Sequence, residues 1–233
     1  MNEGTTALCL TNAADELVTC SAASATAFAC GVKTRQGMLG IDTNGHPVES
    51  VLELAEKRGL ATGLITDTRL THATPAAFYA KCVNRDWEAE IALQLVRHHN
   101  IDVLLGGGSQ FFVPATVRPA SHPLLKGMSK ALDADPGRED SLDLLAEMSG
   151  KGYAVASNQD ELAALPPTAG KILGLFAGSG MNSPIDRDEE NTGEPSIPAM
   201  TERAVKTLSR NPKGFYLMVE CGQIDWAAHG NDV

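Results

Sequence analysis

Short apolar runs at 60–66 (LATGLIT), 101–105, 171–177 (KILGLFA) and 214–220 (GFYLMVE) constrain this chain more than any other feature. Each is too short for a buried helix and is bounded by turn or charged residues, so each predicts a buried strand. Between them the spacing turns helical. Over 47–58, Val51, Leu52, Leu54 and Ala55 fall on one side, and Gly59 is a stop signal. Helices are predicted likewise at 75–82, 86–98, 141–151, 160–165 and 198–210, with a short strand at 153–155. Strands alternating with helices predict an α/β domain with a largely parallel sheet. Residues 7–10 read as an edge strand, 112–140 as an excursion from the core, and 178–197 as a surface loop. The acidic run 186–190 reads as a solvated face.

Composition removes several function classes. A net charge of -10 argues against a general nucleic-acid or membrane-surface binder. Five cysteines, an odd count with no C-x-x-C, argue against a disulfide scaffold or a cysteine zinc site. No apolar run is long enough to cross a bilayer. Met1-Asn2-Glu3-Gly4 lacks the basic and apolar regions of a signal peptide, which fits a cytoplasmic protein or a chain whose true start lies upstream. The strand–glycine turn at Gly106-Gly107-Gly108 matches no nucleotide-binding motif.

Chemistry concentrates in two stretches. Val18-Thr19-Cys20-Ser21-Ala22-Ala23-Ser24-Ala25-Thr26-Ala27 reads as a short strand, a sharp turn at Cys20-Ser21 and a helix opening near Ala22. Ser21 then stands at a helix N-terminus, where free N–H groups and the dipole favour an anion or a nascent alkoxide. Taken alone, it reads more readily as an ordinary N-cap. In the second stretch, Glu220 closes an apolar strand at the end where sites gather. Asp225 and His229 have i,i+4 spacing and face the same way on a helix. A carboxylate and an imidazole so placed suit zinc, and Glu220 offers an oxygen suited to magnesium. Alone, they read as a surface pair and a strand-end acid. Thr74 before Pro75 reads alone as an N-cap, and Arg85 as a surface arginine pairing with Asp86.

The combination is more specific. Leu17-Val18-Thr19-x-Ser21-Ala22-Ala23-Ser24-Ala25-Thr26-Ala27 with Gly31-Val32-Lys33-Thr34 resembles the nucleophile region of alkaline phosphatases. His72-Ala73-Thr74-Pro75-Ala76, Val83-Asn84-Arg85, Asp102 through Gly108, Leu173-Gly174-Leu175-Phe176 and Gly214 through His229 follow in that family's order. The resemblance covers nearly the whole chain after residue 16. It implies a three-layer sandwich, incomplete here, and hydrolysis of small-molecule phosphate monoesters through a phosphoserine intermediate. Ser21 is then the nucleophile, and Arg85 grips two phosphate oxygens. Asp225 and His229 hold one zinc, Ser21 touches a second zinc when the site is complete, and Thr74 and Glu220 hold the single magnesium. His72, Trp226 and Cys20 stand behind these groups. The resemblance further implies a homodimer at full length, in the periplasm or secreted, while charge and hydropathy predict no nucleic-acid binding and no transmembrane segment.

Three departures stand out. Cys20 occupies the place of the family's aspartate, which orients the phosphate-binding arginine. Cys221 replaces a usual glycine, and sequence does not fix the Cα separation that a Cys20–Cys221 disulfide needs. Residues 1–233 are expected to be a partial catalytic domain truncated at both ends, because the family's upstream Gly-Asp-Gly segment, its downstream Asp-His pair and its last zinc-binding histidine have no counterpart. A non-catalytic fragment or relic with weak metal binding is the main alternative. A sulfatase-like hydrolase is a lesser one, since neither Ser24 nor Ala25 is the arginine its signature requires. A cysteine phosphatase is excluded, because C-x5-R would need arginine where Thr26 stands.

Overall fold

A computed structural model describes residue 4 and residues 7–232. Met1, Asn2 and Glu3, on which the reading of the N-terminus rests, lie outside the described residues. The chain runs α1 (Ser21–Cys30), α2 (Val51–Lys57), β1 (Ala61–Arg69), α3 (Ala73–Ala76), α4 (Glu88–His98), β2 (Val103–Gly107), α5 (Leu144–Gly150), β3 (Ala154–Ala156), α6 (Gln159–Ala164), β4 (Ile172–Leu175), α7 (Pro184–Glu190), α8 (Ile197–Leu208), β5 (Phe215–Glu220) and α9 (Gln223–Gly230). The strands form one parallel sheet in the order β3-β4-β2-β1-β5. With helices on both faces, this is the α/β architecture that the alternating runs predict.

The central strands explain their own composition. β2 is buried along its whole length, and β1 along all but Arg69, as expected of parallel strands covered on both faces. Gly63 lets α8 approach β1: a Cβ there would lie 2.9 Å from the side chains of Leu208 and Leu217. α1 packs on α3 through small residues, with Ala22, Ala25, Ala73 and Ala76 all buried. α2 begins at a capping box. Ser50 Oγ accepts from Glu53 N at 3.1 Å, and Ser50 N donates to the Glu53 carboxylate at 2.7 Å.

Several expectations are corrected. Residues 7–10 form no strand, and Leu8 and Leu10 are exposed. Leu17 and Val18 are also exposed and irregular, so the helix of the nucleophile stretch is entered from a loop. β5 is an edge strand with Phe215 and Val219 exposed, because only β1 flanks it. The segment 112–140 is tied to the core: Phe112, Val113 and Leu125 are fully buried, and buried Arg138 donates to Ala89 O at 2.8 Å. The loop 178–197 contains α7, capped by Ser183 accepting from Asp186 N at 3.2 Å. β1 runs beyond the apolar run 60–66, through Asp67 to Arg69, because the fold supplies partners for those polar side chains.

Candidate active site

The carboxyl ends of β1 and β5 open into a cavity of about 220 Å³. Ser21, His72, Thr74, Glu220, Asp225 and Trp226 line it, together with Thr68. Five elements from three separate stretches of sequence therefore converge there: α1, then β1 and α3, then β5 and α9. A larger polar cleft of about 640 Å³ beside Asn158 and Arg187 holds none of the predicted site residues.

Ser21 is the first residue of α1, and Cys20 is its cap. Cys20 Sγ accepts from Ala23 N at 3.5 Å and from Gly37 N at 3.3 Å. The sulfur thus does the work of a capping oxygen, which leaves the Ser21 hydroxyl on the cavity wall at the positive end of a ten-residue helix. Thr74 is not a cap. His72, with extended backbone, caps α3, and Thr74 sits within its single turn.

Glu220 is held by a threonine pair that the sequence reading missed. Its carboxylate accepts from Thr66 Oγ1 at 2.6 Å and Thr68 Oγ1 at 3.2 Å. Between these threonines stands Asp67, also missed, whose Oδ1 accepts from Gly222 N at 2.6 Å and Gln223 N at 3.3 Å. Burial pushes the Asp67 carboxyl up, against the pull of those two N–H groups. Asp67 thereby ties the start of α9 to β1. The signal for this trio is the alternation T-D-T at the carboxyl end of an apolar strand. Arg69, next along, makes a paired contact with Glu88 at 2.8 Å through both Nε and Nη2.

Arg85 reaches the site at second hand. Its backbone N donates to Gly37 O at 2.8 Å, and its Nη2 meets His72 Nε2 at 2.9 Å. Burial, then the charges of Arg85 and Arg69, hold the His72 imidazole down to about 3, so the ring is neutral at ordinary pH. Trp226 meets that ring edge-on at 5.9 Å. The indole rests on Gly180, where a Cβ would come within 2.5 Å of it. Asp225 and His229 share one face of α9, with Oδ1 and Nε2 3.7 Å apart and both side chains exposed. His229 stands beyond the cavity lining. Cys20 and Cys221 are both free thiols, so no disulfide joins them. Burial and the nearby Asp67 and Glu220 charges push the Cys221 thiol up.

The family model described as alkaline phosphatase matches residues 1–233. The chain belongs to the alkaline phosphatase family. Alkaline phosphatase 4 of Bacillus subtilis (strain 168) is 38% identical, over 94% of this chain and 42% of that relative. The solved alkaline phosphatase of Thermus thermophilus matches with a TM-score of 0.81 at 37% identity, over 95% of this chain and 42% of that one. A mutant of TAB5 alkaline phosphatase, solved with Mg bound in its M3 site, matches with a TM-score of 0.74 at 30% identity, over 95% of this chain and 56% of that one. The chain spans about half the length of the curated alkaline phosphatases it matches, 48% and 42% in two of them.

Alkaline phosphatases are metal-dependent, and the donors here fit such ions in kind. Asp225 and His229 supply the oxygen and nitrogen that zinc takes, while Thr74 and Glu220 supply oxygens suited to magnesium. In number they fall short: among the described residues, no three His, Cys, Asp or Glu side chains stand close enough to hold a metal. No helix among the described residues is long and apolar enough to cross a membrane.

Proposed function

We propose that the protein carrying this chain hydrolyses phosphate monoesters, with Ser21 as the group that accepts the phosphate. The observation that carries this reading is the position of Ser21 at the first turn of α1, on the wall of a cavity it shares with Thr74, Glu220 and Asp225. Ser21 Oγ attacks phosphorus in line, the ester alcohol leaves with the electron pair of the broken P–O bond, and the serine proton passes to solvent. Water then attacks the phosphoserine, releasing inorganic phosphate and restoring the hydroxyl. The N-terminus of α1 stabilises the negative charge gathered at the phosphate. Arg85 binds two of its oxygens through the planar fork of the guanidinium. Asp225 and His229 are the zinc donors of this reading, and Thr74 and Glu220 the magnesium donors. When bound, the ions supply Lewis acidity, lowering the pKa of water and neutralising charge on the departing oxygen. Ser21 would also be a donor to a second zinc. The homodimer and the exported location that the family resemblance implies belong to the same reading.

The test is release of p-nitrophenol from its phosphate at alkaline pH, with zinc and magnesium supplied. The protein is expected to turn over, and Ser21→Ala is expected to lose on the order of a thousand-fold in rate, as loss of an activated nucleophile does. Undiminished turnover in Ser21→Ala would contradict the assignment. No turnover in the unaltered protein would favour the alternative reading, a non-catalytic fragment or relic of this fold.

A further inference from the structure

Glu220 has two carboxylate oxygens, and the fold treats them differently. Glu220 is the register partner of Thr66 on β1, and Thr68, two residues on, projects from the same face of that strand. Thr66 Oγ1 donates to Glu220 Oε2 at 2.6 Å. The two threonine oxygens stand 2.7 Å apart, and the one hydroxyl proton of Thr66 is on its bond to Glu220. The proton between the threonines is therefore that of Thr68, which it shares with Glu220 Oε2 at 3.2 Å. Thr66 Oγ1 also accepts from Thr68 N at 2.9 Å. Each threonine methyl is seated on a glycine, which keeps the hydroxyls turned to Glu220. A Cβ on Gly106 would lie 2.9 Å from the Thr66 methyl, and one on Gly222 2.3 Å from the Thr68 methyl. Oε2 is thus fixed from the protein side. Oε1 takes no hydrogen bond among the described residues, and Glu220 lines the cavity together with Thr74.

We propose that Thr66 and Thr68 are positioning residues that decide which divalent cation Glu220 serves. With Oε2 engaged, the carboxylate offers a cation one oxygen instead of two. Magnesium is small, keeps several of its waters and draws on few protein oxygens, so one oxygen suffices. Calcium gathers more oxygens and commonly takes both from a carboxylate, so the threonine pair denies it one. The inference rests on the reading of Thr74 and Glu220 as the magnesium donors.

Separate calorimetric titrations of magnesium and of calcium into the chain test it. Thr66→Val keeps the shape of the side chain and frees Oε2. It is expected to weaken magnesium about tenfold, as losing a hydrogen bond to a metal-binding carboxylate does, while calcium affinity holds or rises. Thr66→Ser, which keeps the hydroxyl, is expected to keep both affinities. Thr68→Val leaves the shorter Thr66 bond in place and is expected to move the ratio of magnesium to calcium affinity the same way, by about threefold. It carries the test if Thr66→Val does not fold. Equal losses of both cations, which a merely structural role would give, or an unchanged ratio would overturn the proposal. Magnesium affinity undiminished in Glu220→Gln, or an unaltered chain that binds no magnesium, would instead sink the reading of Glu220 as a magnesium donor, and the role of the threonines with it.

Discussion

The two flanks of the cavity are built from different material. On one flank, Thr66, Asp67 and Thr68 at the end of β1 and Glu220 at the end of β5 are tied by hydrogen bonds spanning more than 150 residues of sequence, such as Thr66 to Glu220 at |i−j| = 154. Thr66 and Thr68 are fully buried, and Asp67 nearly so. On the other flank, Asp225 stands out from α9, with His229 on the same helix face just beyond the lining, their side chains 57% and 82% exposed. The first flank is fixed by the folded chain. The second is a pair of free side chains whose mutual attraction in water is worth little, and which only a shared ligand would order. The contrast separates the groups whose geometry folding sets from those whose geometry binding sets.

Removing groups from each flank should expose that contrast in stability. Glu220→Ala is expected to cost about 2–3 kcal/mol, because it strips a charged acceptor from two buried hydroxyls. Asp225→Ala, by the same urea denaturation, is expected to stay within about 0.5 kcal/mol of the unaltered chain. Equal losses would erase the distinction. Asp67→Ala is expected to cost less than Glu220→Ala, about 1–2 kcal/mol. It leaves the buried Gly222 N–H unpartnered, but it also removes a carboxylate whose own burial is unfavourable. Hydrogen exchange should report the same change locally, with faster exchange at Gly222 and Gln223 and little change at Leu104 in the sheet centre. If exchange at Gly222 does not move, Asp67 is not what binds α9 to the sheet.

The sheet was legible because its strands are apolar runs whose β-rich composition needs no tertiary information. Their ends were not. Asp67 reads as the start of a loop because a polar residue after LATGLIT predicts exposure, and only the fold brings Gly222 to it. An apolar run likewise does not distinguish a central strand from an edge, so β5 reads as buried although Phe215 and Val219 are exposed. Ser21, Thr74, Glu220 and Asp225 were legible through motif order, and the fold gathers all of them at one cavity. Thr74 was misread locally: Thr-Pro is a strong capping signal, yet His72 holds the cap position. The contact between His72 and Arg85 carries no local signal, since it joins α3 to a turn 13 residues away.

The assignment of Ser21 is tested most directly by trapping the phosphate. Brief exposure of the metal-supplied protein to a ³²P-labelled monoester, quenching in acid and fragment-ion mapping of the peptide ending at Lys33 would locate the label among its hydroxyls, Thr5, Thr6, Thr11, Thr19, Ser21, Ser24 and Thr26. Label on Ser21, absent from Ser21→Ala, is the predicted result. Hydrolysis that proceeds with the label on another residue, or equally well in Ser21→Ala, would contradict it.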